Sequence, residues 1–224
     1  MLRFSKDHNL KGVLICAEGI DGSGKSTQID LLYNWLKQKQ IDVILTRWNS
    51  SELISQTTKK AKKKNLLSPR TFSLLHAVDF ADRLEKVIIP AMKAGFVVLA
   101  DRYVYTAFAR DVARGVDKKW VRNMYSFAIK PDLTVYFDVS AKVSLNRLCS
   151  TRQPKYYEAG MDLKLSNNPY KSYVLFQNRV IEEYKNMTDE FNLIKLDAND
   201  TIHSKQLAIR NMVQDILEKK GIKI

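Results

Sequence analysis

Apolar and polar positions alternate in blocks along the chain. Gly12–Ala17 is a short run of mostly apolar residues. From Gln28 the apolar positions fall at Ile29, Leu32, Tyr33 and Leu36, one face of a helix. The pairing of a strand with a helix then recurs. Asp42–Trp48, Phe96–Ala100, Leu133–Val139 and Asn192–Ala198 read as four further strands. Between them, Ser51 opens a helix that runs into a lysine cluster. Pro69 starts a long helical stretch that reaches Ala94, with Gly95 as its stop. Two helical stretches split near Gly115 follow the third strand, and Ser140 is the expected N-cap of the next helix. Helices at Ser172–Asn186 and from about His203 complete the chain. Continuous apolar strands alternating with helices predict an α/β fold, a five-stranded parallel sheet flanked by helices on both faces.

Two local patterns refine that outline. On the long helix Leu74, Val78, Ala81, Leu84, Ile88 and Ala91 recur at spacings of three and four, which predicts the core face. Phe72, His76, Asp79, Phe80 and Arg83 form a second stripe on the opposite side, a mixture suited to stacking on a base and bonding its edges. Residues 150–170 break the rhythm with two prolines, Gly160 and the polar run SNNP, and predict a loop or mobile flap. No repeat or linker interrupts residues 1–224, which are expected to form a single domain.

Composition narrows the partners. With 45% apolar and 27% charged residues the chain reads as a folded globular protein. No apolar run approaches the roughly 20 residues that cross a membrane. The N-terminal MLRFSKDHNLKG is polar, and Val13–Ala17 is too short for a signal-peptide core, so a cytoplasmic location is expected. Cys16 and Cys149 are expected to be buried, reduced thiols. A formal charge of +13 favours anionic partners: nucleotides, nucleic acid or an acidic membrane surface. Much of the excess lies in KKAKKK, Lys59–Lys64, expected as a solvated helix end where cations also suit the helix dipole.

The stretch EGIDGSGKST, Glu18–Thr27, supplies the candidate chemistry. Gly19, Ile20, Asp21, Gly22, Ser23, Gly24, Lys25 and Ser26 fit the phosphate-binding loop G-x-x-x-x-G-K-[ST], placed between a strand and a helix. Glycines let successive backbone N–H groups turn inward around an anion, and the helix that follows points its positive end at the same spot. Lys25 reaches the outer phosphates, and the Ser26 hydroxyl can ligate Mg2+. ATP with Mg2+ is therefore the expected cofactor. Asp101 and Arg102 follow the third strand and Arg47 follows the second, at the sheet edge where such folds bind ligands. A carboxylate there can hold Mg2+ or its water, and a guanidinium can grip a phosphate with two hydrogen bonds. For both arginines, surface ion pairing is the alternative.

GIDGSGKST after a strand, Pro90 and Gly95 before a strand ending in Asp101-Arg102-Tyr103, and Lys130-Pro131-Asp132-Leu133 together resemble the thymidylate kinase family over nearly the whole chain. The resemblance implies transfer of the γ-phosphate of ATP to dTMP, nucleotides as partners, and a homodimer formed through helices. It implies that Asp21 contacts the acceptor sugar and that Ala198-Asn199 line the adenine. The phosphate loop carries no arginine. The resemblance is thus to members that supply the cation from the flap, with Arg147 and Arg152 as candidates and Glu158, Tyr156 and Tyr157 helping it dock.

The departures fall on the acceptor. The family's base-stacking aromatic position is His76 and its base-contacting arginine position is Phe80. Trp48-Asn49-Ser50 replace a Glu-Pro-Gly, and Arg110-Asp111 replace a tyrosine-glutamine pair. Asp21, Arg47, Phe72, His76, Phe80, Arg83 and Arg102 form the expected acceptor set, with Arg83 carrying the guanidinium that Phe80 has displaced. The alternatives are a kinase of the same fold with another acceptor, and a nucleic-acid-associated P-loop NTPase using the basic surface. Asp101-Arg102 and the flap favour a kinase.

Overall fold

The computed structural model describes residues 8–65 and 67–222. The N-terminal MLRFSKD, part of the polar start noted above, lies outside the described residues. Five strands, β1 (Val13–Glu18), β2 (Val43–Arg47), β3 (Val97–Asp101), β4 (Leu133–Asp138) and β5 (Ile194–Asp197), form one sheet in the order β2-β3-β1-β4-β5. Every pairing is parallel. The helices are α1 (Lys25–Gln38), α2 (Ser55–Lys63), α3 (Pro69–Arg83), α4 (Ile89–Lys93), α5 (Val104–Ala113), α6 (Lys118–Met124), α7 (Ala141–Cys149), α8 (Pro169–Phe191) and α9 (Ile202–Lys219). β1 lies between β3 and β4, and Ala17 pairs in register with Asp101. The loop after β1 therefore abuts the loop after β3, which is how two motifs 75 residues or more apart come to share one edge.

β1, β3 and β4 are buried almost throughout, as apolar runs covered on both faces require. β5 is the exception. It was expected as a continuous buried run, but it is an edge strand reading IKLD and is largely exposed. Its Lys195 pairs with Asp138 on β4 at 2.8 Å, and such charges discourage pairing with a further strand.

The long helix corrects a second expectation. Leu74 and Val78 are 49% and 42% exposed, whereas Phe72, His76, Asp79, Phe80 and Arg83 are buried. The mixed stripe is the inward face. A π-helical turn, Leu84–Ile88, joins α3 to α4. The buried residues Phe72, His76, Phe80, Leu84, Ile88 and Met92 recur every four positions. On an ideal α-helix that spacing drifts round the axis, because four residues exceed one 3.6-residue turn. The wider π turn takes up the drift and keeps all six on one side.

Residues 150–170 contain a short 3-10 turn, Met161–Leu163, and are pinned in the middle. The buried Arg114, which caps the C-terminus of α5, donates from Nη2 to the Tyr157 carbonyl at 2.6 Å and from Nε to Asp162 at 3.0 Å. Gly160, at φ 63°, packs so closely that a Cβ there would lie 2.6 Å from the Phe176 side chain. α8 starts earlier than the expected Ser172, at Pro169, because the Asn168 side chain caps it by accepting from the Tyr170 and Lys171 amides. Cys16 is buried but Cys149 is exposed, since it falls on the outer face of α7. Among the described residues no helix is long and apolar enough to cross a membrane.

Candidate active site

Gly19, Gly22 and Gly24 take φ of 142°, 73° and 85°, which lets the chain reverse between β1 and α1. Gly22 also has no room for a side chain, because a Cβ would sit 2.6 Å from the Ser144 carbonyl oxygen. The Lys25 ammonium folds back over this loop and donates to the Ile20 carbonyl at 3.1 Å. Burial, with the charge of Arg102, lowers its pKa to about 8 against the attraction of Asp101 and Asp21. Ser26 donates to Asp101 Oδ2 at 2.6 Å, while the other oxygen of Asp101 is buried and has no hydrogen-bond partner among the described residues.

Arg102 sits at φ 77°, an uncommon backbone conformation for a side chain of its size. Its Nη1 donates to the Gly19 carbonyl at 2.9 Å and to Thr106 Oγ1 at 3.2 Å, and its Nη2 donates to Asp21 at 2.7 Å. Arg110 pairs with the second Asp21 oxygen. Against the upward push of burial, Arg110 and Arg102 hold the Asp21 carboxyl far below the usual range. The turn that aims Arg102 is fastened by Glu18, a residue the motif alone does not single out. Its Oε1 accepts from the Tyr103 amide at 2.7 Å and its Oε2 from Thr106 Oγ1 at 2.6 Å and Tyr184 at 2.8 Å. The signal for it in the sequence is an acid closing an otherwise apolar strand. A carboxylate placed there either has waiting donors or is strongly destabilising.

A cavity of about 280 Å3 opens among these groups, bordered by Lys25, Ser26, Asp101, Arg102, Arg152 and Trp48. Arg152 is held to Glu158 by two hydrogen bonds of 2.7 and 3.0 Å. Arg47 also borders the cavity, with its guanidinium paired to Asp30 at the surface. Arg147 does not reach it. It donates to the Ala198 carbonyl at 3.1 Å, where Lys205 also donates at 2.9 Å, and so belongs to the loop after β5 together with Asn199. Thr27 is exposed on the first turn of α1.

The base-facing candidates divide. Phe80 is fully buried against Tyr103, Tyr125 and Phe127, with ring centroids 4.9, 5.4 and 5.8 Å away, and is core. Phe72 has Tyr157 stacked on it at 4.9 Å and Lys62 over its ring at 4.9 Å, so its ring is already occupied. Both were expected to meet the acceptor base. The packing gives them other partners because α3 turns its mixed stripe inward. Lys62 likewise departs from the expected solvated run by reaching back over α3. Arg83 donates to Asp79 at 3.0 Å and to Thr46 at 2.9 Å, lies 5.5 Å over the Trp48 ring, and keeps Nη2 unpartnered among the described residues. Asp79 also accepts from the Asn49 and Ser51 amides at 3.1 and 2.9 Å, which shapes the turn after β2 that carries Trp48. His76 is 1% exposed and neither ring nitrogen has a hydrogen-bond partner among the described residues.

The sequence model of the family described as thymidylate kinase matches residues 17–207. The chain belongs to the thymidylate kinase family. It is similar to a probable thymidylate kinase 2 of Saccharolobus solfataricus, 46% identical over 93% of this chain and 99% of the relative. A probable thymidylate kinase of Thermococcus gammatolerans is 33% identical over 92% of this chain and 98% of its own length. The thymidylate kinase of Halothermothrix orenii is 32% identical over 94% and 100%. Within this thymidylate kinase fold one buried acid has no counterpart in the expected chemistry. Asp111 is fully buried and its pKa is pushed up to about 7 by burial, against the opposing effects of Ser73, Arg114 and Arg110. A carboxyl raised in the folded state stabilises the fold below its unfolded pKa of about 4 and loses that contribution as pH rises through 7. Asp111→Asn should therefore gain in melting temperature relative to the parent between pH 4.5 and 8. A difference that stays constant across that range would show that Asp111 does not titrate in the fold.

Proposed function

We propose that this protein transfers the γ-phosphate of ATP to dTMP, giving dTDP. The observation that carries the reading is the meeting of Lys25, the Ser26–Asp101 pair and Arg102 around one cavity, where a donor phosphate on the loop would face an acceptor phosphate held by a guanidinium. Phosphoryl transfer needs two phosphates in line and their charge neutralised, with little covalent chemistry from the protein. Arg152 is the flap cation of this scheme, because it borders the cavity and Arg147 does not. Asp21, already held by Arg102 and Arg110, faces the acceptor sugar. Ser26 and Asp101 would hold Mg2+. The free, buried Oδ1 of Asp101 supports that assignment, and magnesium bound mainly through substrate phosphates needs few protein ligands. The ion would draw charge off the transferring group. Ala198 and Asn199 line the adenine. The reading includes a cytoplasmic location and a homodimer, the latter supported by the exposed Leu74 and Val78 on the outer side of α3.

The test is an ADP-release assay with ATP, Mg2+ and a panel of dTMP, dUMP, UMP, dCMP and dGMP. The expected result is turnover highest with dTMP and ADP formation at background without an acceptor. ADP release above background only with the purine acceptor dGMP would overturn it.

A further inference from the structure

Phe72 is stacked on Tyr157 and Phe80 is enclosed in the core, and the base-contacting arginine is absent from its usual place. Two other groups stand ready. Trp48 borders the cavity, and its indole Nε1 is buried without a hydrogen-bond partner among the described residues. Its backbone amide donates to the Asp101 carbonyl at 3.2 Å, which ties it to the strand end that presents Arg102. His76 lies edge-on to that ring with centroids 5.4 Å apart, and it too has only unpartnered nitrogens. Buried polar atoms in a folded protein are nearly always paired, so orphaned ring nitrogens on two packed side chains, the outer of which borders the cavity while His76 lies buried behind it, mark where a ligand's polar edge belongs.

We infer that Trp48 and His76 read the imide edge of the acceptor base, with the indole N–H of Trp48 donating to the 4-carbonyl and a ring nitrogen of His76 accepting the N3–H. The inference rests on the kinase reading for the placement of a nucleotide in this cleft. The chemistry of the two side chains fits the edge. Burial, with the charges of Lys62, Arg110 and Arg114, keeps His76 neutral, so one of its nitrogens is an acceptor. Cytosine offers an amino group in place of the 4-carbonyl and an unprotonated N3. A neutral imidazole can meet that change by switching tautomers. The indole cannot, because its nitrogen only donates. Discrimination against cytosine therefore falls on Trp48. The side chain that must yield as a base enters is Lys62, whose ammonium lies over the Phe72 ring next to His76.

Calorimetric binding to the intact protein separates this from the transfer reaction. dUMP and dCMP differ only along the edge in question. The parent should bind dUMP at least about tenfold tighter than dCMP, since leaving a buried donor facing another donor costs an order of magnitude or more. Trp48→Phe keeps the ring and removes the N–H. It should weaken dUMP by roughly tenfold, leave dCMP no weaker than in the parent and leave ATP affinity unaltered. His76→Phe should weaken both pyrimidines. A second arm needs no variant: 3-methyl-dTMP, which lacks the N3–H, should bind the parent at least about tenfold more weakly than dTMP. Equal affinities for dUMP and dCMP, for dTMP and 3-methyl-dTMP, or an unchanged dUMP-to-dCMP ratio in folded Trp48→Phe would overturn the inference. If the edge is read as proposed but no monophosphate yields ADP, the kinase reading fails and the inference stands. If dTMP turns over while the ratio ignores Trp48, the reverse holds.

Discussion

Lys25→Ala is expected to lower phosphoryl transfer by about 10²–10³-fold or more while the protein stays folded. The ammonium stands over the phosphate loop beside the cavity, and its hydrogen bond to the protein is a single contact of 3.1 Å to the Ile20 carbonyl. A donor aimed at developing charge in a water-poor site is worth several kcal/mol in the transition state. The fold has little to lose. Burial already lowers the Lys25 pKa to about 8 from an ordinary value near 10.5, so the folded state binds this proton less well than the unfolded one. Its contribution to stability is present above the unfolded pKa and lost as pH falls through about 8, so at neutral pH the charge opposes folding. The melting temperature of Lys25→Ala at pH 7 should equal or exceed that of the parent. ADP release with dTMP and a thermal melt check both halves. Near-parental turnover in the folded variant would remove Lys25 from the chemistry.

Arg102→Lys should carry the second large effect, and on one substrate. The guanidinium spans Gly19, Thr106 and Asp21 at once, with Nη1 and Nη2 taking different partners. A lysine offers a point charge on a flexible stem and cannot reproduce that fork or the two-point grip on an acceptor phosphate. Monophosphate affinity should fall by roughly tenfold or more, the cost of a lost charge-assisted hydrogen bond, and ATP affinity should change little. Titrating each nucleotide separately by calorimetry decides it. Equal losses for both nucleotides would mean that Arg102 serves the donor or only the fold. Glu18 supplies a contrast. It holds the turn from behind without bordering the cavity, so its loss would act on the aim of Arg102 rather than on any phosphate directly.

The order of strands and helices, the parallel sheet and the phosphate loop were legible in the chain because each rests on local rules. A buried strand needs a continuous apolar run, an amphipathic helix needs a repeat near 3.6, and a backbone that wraps an anion needs glycine at particular steps. The convergence of Lys25, Ser26, Asp101 and Arg102 followed from the same rules once β3 was placed beside β1. The acceptor side did not, and α3 shows why. Leu74 and Val78 keep the better α-helical spacing with Ala81 and Leu84, yet they face outward, because one π turn rephases the helix and a stripe at fours becomes the inward face. That turn has no signature in the spacing of the residues it rephases. The apolar content of β5 likewise reads as buried until its position at the sheet edge is known. Which of Arg147 and Arg152 points at the cavity depends on a bend between them. Sequence by itself determined the secondary elements and the donor phosphate loop, since those depend on neighbours along the chain. Only the tertiary structure decided which side of α3 is packed inward and which polar atoms near the cleft stay unpartnered among the described residues, because the orphaned nitrogens on Trp48 and His76 acquire meaning from what surrounds them in space.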